Sequence, residues 1–381
     1  MDVQVSPWMD AGLELYRDSV RRFVKAEVLP GQERWRAQRH VDRALWERAG
    51  ALDLLLADVP EQYGGAGGSY AHMVVLWQEL MAVGEVGFGT HVHSVAARYI
   101  LNNGSEEQKQ RYLPQLASGK MIAAIAITEP DAGSDLQAIR CSAVRDGDEY
   151  RINGAKTFIS NGHLADLLVL AVKTDPAGGA KAISLLLVEA RALAGYRVGP
   201  ILDLIGRKSQ DTCELFFDDV RVPAHAVLGA VEGRGLAQLM RELPYERTLL
   251  GVTAVAAIER AVALATDHAQ QRKVFGKPLF ELQNTRFKLA EAKTQAVVAR
   301  VFIDWCIGKI IDGSMETDVA SMAKWYLTDM QCRVIDDCLQ LFGGYGYSLD
   351  FPIAQMYADA RVQKIYGGAN EVMKEIIAYN L

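Results

Sequence analysis

The sequence predicts an α+β protein in which two helical regions flank a central β region. Apolar residues recur at helical spacing in the first third, strand-like apolar runs follow, and helical spacing returns in the last third. The 381 residues are half hydrophobic, which is enough for a large core and two or three domains. We expect domain boundaries at residues 1–120, 121–234 and 235–381.

Composition excludes several classes of function. The net charge is −6 and no long Lys/Arg run occurs, so nucleic acid and anionic membranes are poor partners. The five cysteines form no CxxC pair, which indicates reduced thiols in a cytoplasmic protein. We expect no signal segment, no apolar run long enough to cross a bilayer and no membrane insertion. His91 and His93 lack metal-pair spacing, so we expect pocket or packing roles and no metal.

The pattern of apolar residues predicts helices in the first region, residues 1–120. Leu13, Tyr16, Val20 and Phe23 recur at three- and four-residue steps, which places them on one helical face. The pattern from Ser105 to Gln108 is a capping box and predicts that a helix starts at this point.

The middle region reads as strands. Its apolar runs are 122–127, 167–172, 183–188 and 215–217. Asn153-Gly154 lies between two further strand-like segments and predicts a hairpin turn there.

The loop that follows the first strand is the central feature of the sequence. Pro130 cannot donate to a sheet, so the strand should end near it, and Gly133 permits close approach of a flat group. The hydroxyls of Thr128 and Ser134 suit a polar heterocycle or a phosphate-like edge. The residues alone equally fit an ordinary exit from a strand into a loop.

The last region is again helical. Nearly every residue from 249 to 265 is apolar, which predicts a helix buried on most sides. A second stripe steps by threes and fours, as in a helical bundle: Ala323, Leu327, Met330, Val334, Cys338 and Leu341.

Five motifs together resemble the acyl-CoA dehydrogenase family, in that family's order and spacing. They are residues 125–135, 156–162, 271–277, 340–346 and 365–371. The last third is most similar to the long-chain members. The resemblance implies a helical amino-terminal domain, a β-barrel-like middle domain and a carboxyl-terminal four-helix bundle.

The resemblance also implies FAD as cofactor. The residues expected around the flavin ring are Ile125, Ile127, Thr128, Ser134, Phe158 and Ser160. Thr128 would hydrogen-bond the ring edge, Phe158 would stack on the ring, and Ser160 would bond its N5 side. Many relatives have Trp where Phe158 stands, so an indole N–H is missing here. Without the flanking match, Phe158 would be read as a core aromatic.

A second set of family positions is expected to reach flavin across a subunit interface. It comprises Arg272, Phe275, Gln283, Gln340, Gly343 and Gly344. Arg272 suits a phosphate, although a solvated arginine at a helix end fits the residue equally. Ala369 and Glu371 match further flavin positions, with Ala369 in place of a usual Thr. Contacts from two chains imply a homo-oligomer, which we expect to be a homotetramer.

The implied reaction is α,β-dehydrogenation of an acyl thioester. Many relatives place the catalytic Glu where this chain has Gly367, so the base must come from elsewhere. Glu246 matches the base position of the long-chain members, and Glu242 one turn earlier is its nearest competitor. A solvated carboxylate is the ordinary alternative for Glu246. The residues expected to contact the substrate are Ser134, Arg247, Tyr366 and Gly367, whose N–H would polarise the thioester carbonyl.

Several alternatives stay open. The thioester could be carried by coenzyme A or by an acyl carrier protein, and the expected electron acceptor is an electron-transferring flavoprotein. A flavin oxidase or monooxygenase, or a non-catalytic acyl-CoA-binding paralogue, could use the same scaffold. Chain length depends on packing near residues 87–94, which the sequence does not determine.

Overall fold

The computed structural model describes residues 6–175 and 179–381 and confirms the α+β fold. The amino-terminal region consists of α1 (Ala11–Phe23), α2 (Gln32–Gln38), α3 (Arg43–Gly50), α4 (Tyr70–Ala82), α5 (Thr90–Asn103) and α6 (Glu106–Ala117). Helix α1 begins after Asp10, whose carboxylate accepts a hydrogen bond from the Leu13 N–H at 2.8 Å. The capping box predicted at the start of α6 is confirmed, since Ser105 and Gln108 bond each other's backbone N–H.

A curled seven-stranded sheet forms the middle region. Its strands are β1 (Ala123–Ala126), β2 (Ser142–Asp146), β3 (Glu149–Ser160), β4 (Leu167–Lys173), β5 (Ile183–Glu189), β6 (Tyr196–Ile201) and β7 (Thr212–Pro223). Their order is β1-β4-β2-β3-β7-β6, with β5 on the other edge of β4. Strands β1 and β4 are parallel, with Ala123 opposite Leu167. All four apolar runs predicted as strands therefore belong to the sheet.

The hairpin turn predicted at Asn153-Gly154 is wrong. Strand β3 runs straight through this dipeptide, and the turn lies earlier, between the paired residues Asp146 and Glu149. Gly154 instead occupies a bulge at φ +146°, where an added Cβ would lie 2.7 Å from the Cys141 Cα. The Asn-Gly signal thus marks close strand approach within a sheet.

The carboxyl-terminal region contains α7 (Gly235–Gln271), α8 (Gln283–Ile311), α9 (Thr317–Gln340), α10 (Pro352–Ala360) and α11 (Asn370–Tyr379), with a small hairpin of β8 (Lys273–Val274) and β9 (Lys277–Pro278). Helix α7 packs on α8 and α9, and α9 also packs on α11. The predicted burial of residues 249–265 is confirmed for most of that stretch. Five residues of the second stripe are buried inside α9, and Leu341 at its end is half-buried.

One expectation about membranes needs correction. By length and composition α7 could cross a bilayer, since an 18-residue window has a mean hydropathy of 1.6. However, 72% of that window is buried within the structure, as in the core helix of a bundle. The apolar character of α7 is explained by packing against its neighbours.

A large apolar core joins both helical regions to one face of the sheet, and a smaller core fills the sheet's other side. The three regions meet around β1, α5 and α7. The exact domain boundaries stay predictions.

Candidate active site

A cavity of about 330 Å³ lies where the three regions meet. Its walls come from α5, the loop after β1, strand β3, helix α7 and the turn before α11. It brings together ten of the residues predicted from the sequence: Ile125, Ile127, Thr128, Ser134, Phe158, Ser160, Glu246, Arg247, Tyr366 and Gly367. Apolar side chains from α5 and α7, among them Val95 and Leu243, complete the lining. Such a cavity can hold an apolar chain beside a flat polar ring.

The loop after β1 is held rigidly against β3. Strand β1 ends at Ala126, and the Thr157 N–H donates to the Thr128 carbonyl at 2.9 Å. Glu129 and Ala132 exchange backbone hydrogen bonds across a tight turn that contains Pro130. An added Cβ at Gly133 would meet no atom within 4 Å, so the loop leaves open space on the cavity side.

Behind this loop lies a buried ion pair that sequence reasoning missed. The Lys156 ammonium lies 2.7 Å from Glu129 Oε1 and also donates to the Ile127 carbonyl at 2.9 Å. The backbone N–H groups of Arg140 and Cys141 donate to the same carboxylate. Both charged side chains are buried, and burial lowers the pKa of Lys156. The pair fixes the backbone on which Ile127 and Thr128 stand.

Phe158 lies in a strained segment of β3. Its φ is +57°, in the left-handed region that bulky residues rarely occupy, and it lies inside a register shift between Lys156 and Ile159. The residue is 60% exposed and lines the cavity wall instead of packing in the sheet's core. The next predicted residue, Ser160, lies 3.4 Å from the Thr212 hydroxyl. An exposed aromatic held this way can stack on a flat ligand.

Glu246 lines the cavity from α7. Burial raises the pKa of its carboxyl, while the charges of Arg247 and Lys324 oppose that rise. No hydrogen bond to the carboxylate is found among the described residues. A desolvated carboxylate without such bonds, facing a cavity, is available to accept a proton.

Glu242 has different surroundings. Its oxygens accept hydrogen bonds from the Asn102 amide at 2.9 and 3.0 Å, and Arg98 lies 3.7 Å away. It is buried in that polar network and does not line the cavity, although it lies on the same helix as Glu246. The structure thus separates the two carboxylates that the sequence left in competition.

Gly367 lies beside Glu246 at the cavity wall. An added Cβ would lie 3.6 Å from Glu246 Oε1 but only 2.4 Å from Leu250 Cδ1, and the residue has φ +63°. A side chain at this position would compete for the space beside the Glu246 carboxylate. The neighbouring Tyr366 lies with its ring 5.8 Å below the guanidinium of Arg207, which the sequence did not single out.

Arg247 is buried and follows Glu246 directly on α7. Its Nη1 donates to the Ser321 hydroxyl at 3.1 Å, and burial lowers its pKa. On the other side, His91 lines the cavity and His93 bonds backbone groups of Leu116 and Ala123. Burial lowers the pKa of His91 to about 3 and of His93 to about 4, so both rings are neutral near pH 7.

The second predicted set lies far from the cavity. Its six residues lie in the segment between α7 and α8, at the first residue of α8, and at the last residue of α9 and the turn after it: Arg272, Phe275, Gln283, Gln340, Gly343 and Gly344. From Glu246 to Arg272 the helix spans 26 residues, or about 39 Å at 1.5 Å per residue. The Arg272 guanidinium lies 5.7 Å from the Tyr345 ring centroid. Added Cβ atoms at Gly343 and Gly344 would meet open space.

Ala369 and Glu371 lie at the start of α11. Ala369 is the N-cap and supplies no side-chain cap, as its methyl group dictates. Glu371 is exposed in the first turn. Within residues 6–175 and 179–381 no group of three or more His, Cys, Asp or Glu side chains could hold a metal ion.

Comparisons with known proteins identify the family. Three family models match: acyl-CoA dehydrogenase N-terminal domain over residues 11–120, middle domain over 124–220 and C-terminal domain over 233–381. The long-chain specific acyl-CoA dehydrogenase, mitochondrial, of Sus scrofa is 45% identical over 371 residues, covering 96% of this chain and 85% of the relative.

Solved structures agree. The crystal structure of an acyl-CoA dehydrogenase from Geobacillus kaustophilus superposes with a TM-score of 0.95 at 41% identity and covers 99% of each chain. A glutaryl-CoA dehydrogenase from Mycobacterium smegmatis in complex with FADH2 superposes with a TM-score of 0.91 at 27% identity, covering 99% of this chain and 96% of the other.

Proposed function

Because the chain belongs to the acyl-CoA dehydrogenase family of FAD-dependent oxidoreductases, we propose that Glu246 is the base that removes the α-proton of its acyl thioester. The observation that carries this proposal is the position of Glu246, a desolvated carboxylate on the cavity wall beside Gly367. Its raised pKa makes it a stronger base than an exposed glutamate.

The residues on the cavity's sheet side fit a flavin ring. The exposed Phe158 ring offers a stacking surface, while Ser134 and Ser160 line the same cavity and the loop after β1 leaves open space at Gly133. Thr128 would hydrogen-bond the ring edge, with backbone help from Ile125 and Ile127. FAD, when bound there, supplies the two-electron acceptor for the hydride from the substrate β-carbon.

The substrate carbonyl would lie at the turn before α11. The Gly367 N–H would donate to the thioester oxygen, which makes the α-proton acidic enough for Glu246 to remove. Tyr366 and Arg247 border the same space, and the apolar residues of α5 and α7 would surround the acyl chain and exclude water. We propose a long saturated acyl-CoA as substrate, because the apolar lining suits an acyl chain and the Sus scrofa relative is long-chain specific.

We further propose a homotetramer. The ring site and the Arg272 turn lie about 39 Å apart along α7, farther than one flavin-adenine dinucleotide could bridge along that helix. A second copy could bring its Arg272 turn to the first copy's cavity. Helix α8 also exposes an apolar stripe suited to burial between copies: Phe287, Val297, Val298, Val301 and Trp305. Light scattering that gives a monomer mass with FAD still bound would contradict this assembly.

An electron-transferring flavoprotein is the acceptor we propose, and a cytoplasmic location stays a prediction from composition. The function is tested with purified protein and a panel of saturated acyl-CoA and acyl-carrier thioesters. We expect bound FAD that is reduced anaerobically, fastest with long acyl-CoA, and reoxidised by the flavoprotein faster than by oxygen. Protein that binds every thioester without flavin reduction would instead be a non-catalytic binder, and rapid oxygen consumption would indicate an oxidase.

A further inference from the structure

Lys324 is a buried cation beside the candidate site that the reaction scheme above does not use. It stands on α9 with a fully buried side chain. Its ammonium donates to the Gly368 carbonyl at 2.6 Å and to Asn370 Oδ1 at 2.9 Å. Both acceptors are neutral, and among the described residues no carboxylate lies within ion-pair distance of this ammonium. A buried charge without a carboxylate partner is costly, so its presence calls for a reason.

One consequence is mechanical. Asn370, the first residue of α11, also donates through its amide nitrogen to the Trp325 carbonyl and the Thr328 hydroxyl, both at 3.2 Å. Helix α9 therefore holds the turn before α11 at two points, through Lys324 on Gly368 and through the Asn370 side chain. These bonds fix the peptide plane that follows Gly368.

The turn needs such support. Gly367 and Gly368 have φ values of +63° and +91°, so two consecutive residues lie on the left-handed side of the backbone map. Glycine loses much conformational entropy when its backbone is fixed in one conformation. Without support, a turn of two glycines would therefore sample several conformations. The Gly367 N–H can donate to the thioester oxygen from a fixed position only if the turn itself is held in place.

The second consequence is electrostatic. The charged and titratable groups that act on Lys324 are Glu246 and Arg247 on α7 and Glu371 on α11. The charges of Arg247 and Lys324 act on Glu246 in turn, and the negative charge of Glu246 adds to burial in raising the pKa of Tyr99 and of Tyr366. Glu371 is exposed to solvent, whereas Glu246 is half-buried at the cavity wall, so Glu246 is the less solvated negative charge available to balance the two cations.

We propose that Lys324 is a positioning residue for α-proton removal, which fixes the Gly367–Gly368 turn and supplies a positive charge that stabilises negative charge in the cavity. This inference rests on the proposed function. The stabilised charge is the Glu246 carboxylate before proton transfer and the enolate oxygen of the thioester after it. In that step the α-carbon C–H bond breaks, its proton passes to Glu246, and its electron pair stays on the substrate as an enolate.

The test separates proton removal from hydride transfer. A 3-thia-acyl-CoA has acidic α-protons but a sulfur in place of the β-carbon, so it cannot donate a hydride. Its enolate, stacked on oxidised FAD, gives a long-wavelength charge-transfer absorbance that reports α-proton removal without turnover. The FAD-loaded enzyme is titrated with this ligand over a range of pH, which yields a dissociation constant and the pH midpoint of the band.

Two variants eliminate the net positive charge, one by deleting the ammonium and one by neutralising it. Lys324→Met deletes the ammonium, and Asn370→Asp places a carboxylate 2.9 Å from it while the lysine stays. The matched control is Lys374→Met, which removes an exposed ammonium that lies over the Trp325 ring at 4.9 Å and does not contact the turn.

Proton loss adds one negative charge to the ligand complex, whichever group holds it. Both site variants should therefore raise the midpoint by about one pH unit or more, and Lys324→Met should also weaken ligand binding about tenfold. The control should match wild type in both values. If Lys324→Met fails to retain FAD, the pH midpoint of Asn370→Asp still tests whether the Lys324 charge stabilises negative charge in the cavity.

Midpoints of both site variants within 0.3 pH unit of wild type, a difference of about twofold in the proton equilibrium, would overturn the proposal. Failure of the proposed function looks different. Wild-type protein would then show neither the band nor flavin reduction with any acyl-CoA.

Discussion

Breaking the buried ion pair behind the loop after β1 should lower the free energy of unfolding strongly. The substitution that breaks it is Glu129→Gln. This substitution keeps the size of the side chain but leaves the Lys156 ammonium, which is completely buried, without its counter-charge. The amide oxygen can still accept the bonds from Lys156 and Cys141 as a neutral group, but the NH2 that replaces the other oxygen cannot accept the bond from the Arg140 N–H.

The size of the effect follows from two estimates. Removing one partner of a buried pair costs about 3–5 kcal/mol in measured cases. Alternatively, the Lys156 ammonium can lose its proton in the folded protein. For a lysine whose pKa in the unfolded chain is near 10.4, this deprotonation costs about 4.6 kcal/mol at pH 7. Both estimates place the loss in unfolding free energy at about 3–5 kcal/mol, a large share of a domain's stability.

Urea unfolding of the FAD-loaded protein, followed by far-UV circular dichroism and by release of flavin fluorescence, measures this loss. The matched control is Glu149→Gln in the same β region, where Glu149 pairs with Arg221 at 3.0 Å on the exposed surface. An exposed pair is worth about 0–1 kcal/mol, so the control should stay near wild type. If the two variants lose the same free energy within about 1 kcal/mol, the reasoning about the buried pair is refuted.

Three further predictions concern the site and the assembly. The Glu242→Gln variant should reduce flavin at a rate within a few-fold of wild type, because Asn102 holds the Glu242 carboxylate outside the cavity. If it loses as much rate in stopped flow as Glu246→Gln, the assignment of Glu246 as the base is contradicted. The double variant Glu246→Gln, Gly367→Glu should recover little flavin reduction unless Leu250→Ala is also present, because a Cβ at position 367 would lie 2.4 Å from Leu250 Cδ1. Equal recovery with and without Leu250→Ala would contradict this geometry. Trp305→Glu should lower the mass found by light scattering, since it places a charge on the exposed apolar stripe of α8, whereas an unchanged tetramer would remove that stripe from the interface.

Much of the fold was predictable from the sequence because the signals were local. The Ser105 capping box, the apolar runs of β1, β4 and β5, and the buried segment of α7 each depend on neighbouring residues. Asn153-Gly154 misled because the same dipeptide serves a turn or a bulge, and only the proximity of Cys141 distinguishes them. The extent of α7 through Pro244 also required tertiary packing to define.

The site likewise contains residues that the sequence identified and residues that only the structure revealed. Motif resemblance identified the residues that the cavity brings together, including Phe158 and Gly367. It assigned no role to Lys156 or Glu129, although both lie within the motifs, and none to Lys324, since a lone charged residue in a strand or helix ordinarily indicates a solvated face. Their partners are distant in sequence, 27 residues for Lys156 with Glu129 and 46 for Lys324 with Asn370, so only the folded chain shows them buried.

The central claim is that Glu246 removes the α-proton, and anaerobic stopped-flow reduction of FAD in Glu246→Gln tests it most directly. Glutamine keeps the shape of the side chain and cannot accept the proton. We expect the variant to retain FAD and to lose on the order of 10²-fold or more in reduction rate. The wild-type rate should fall as pH decreases through the raised pKa of Glu246, because only the ionised carboxylate is a base, and the variant should lack that dependence. Reduction of Glu246→Gln at the wild-type rate would contradict the account.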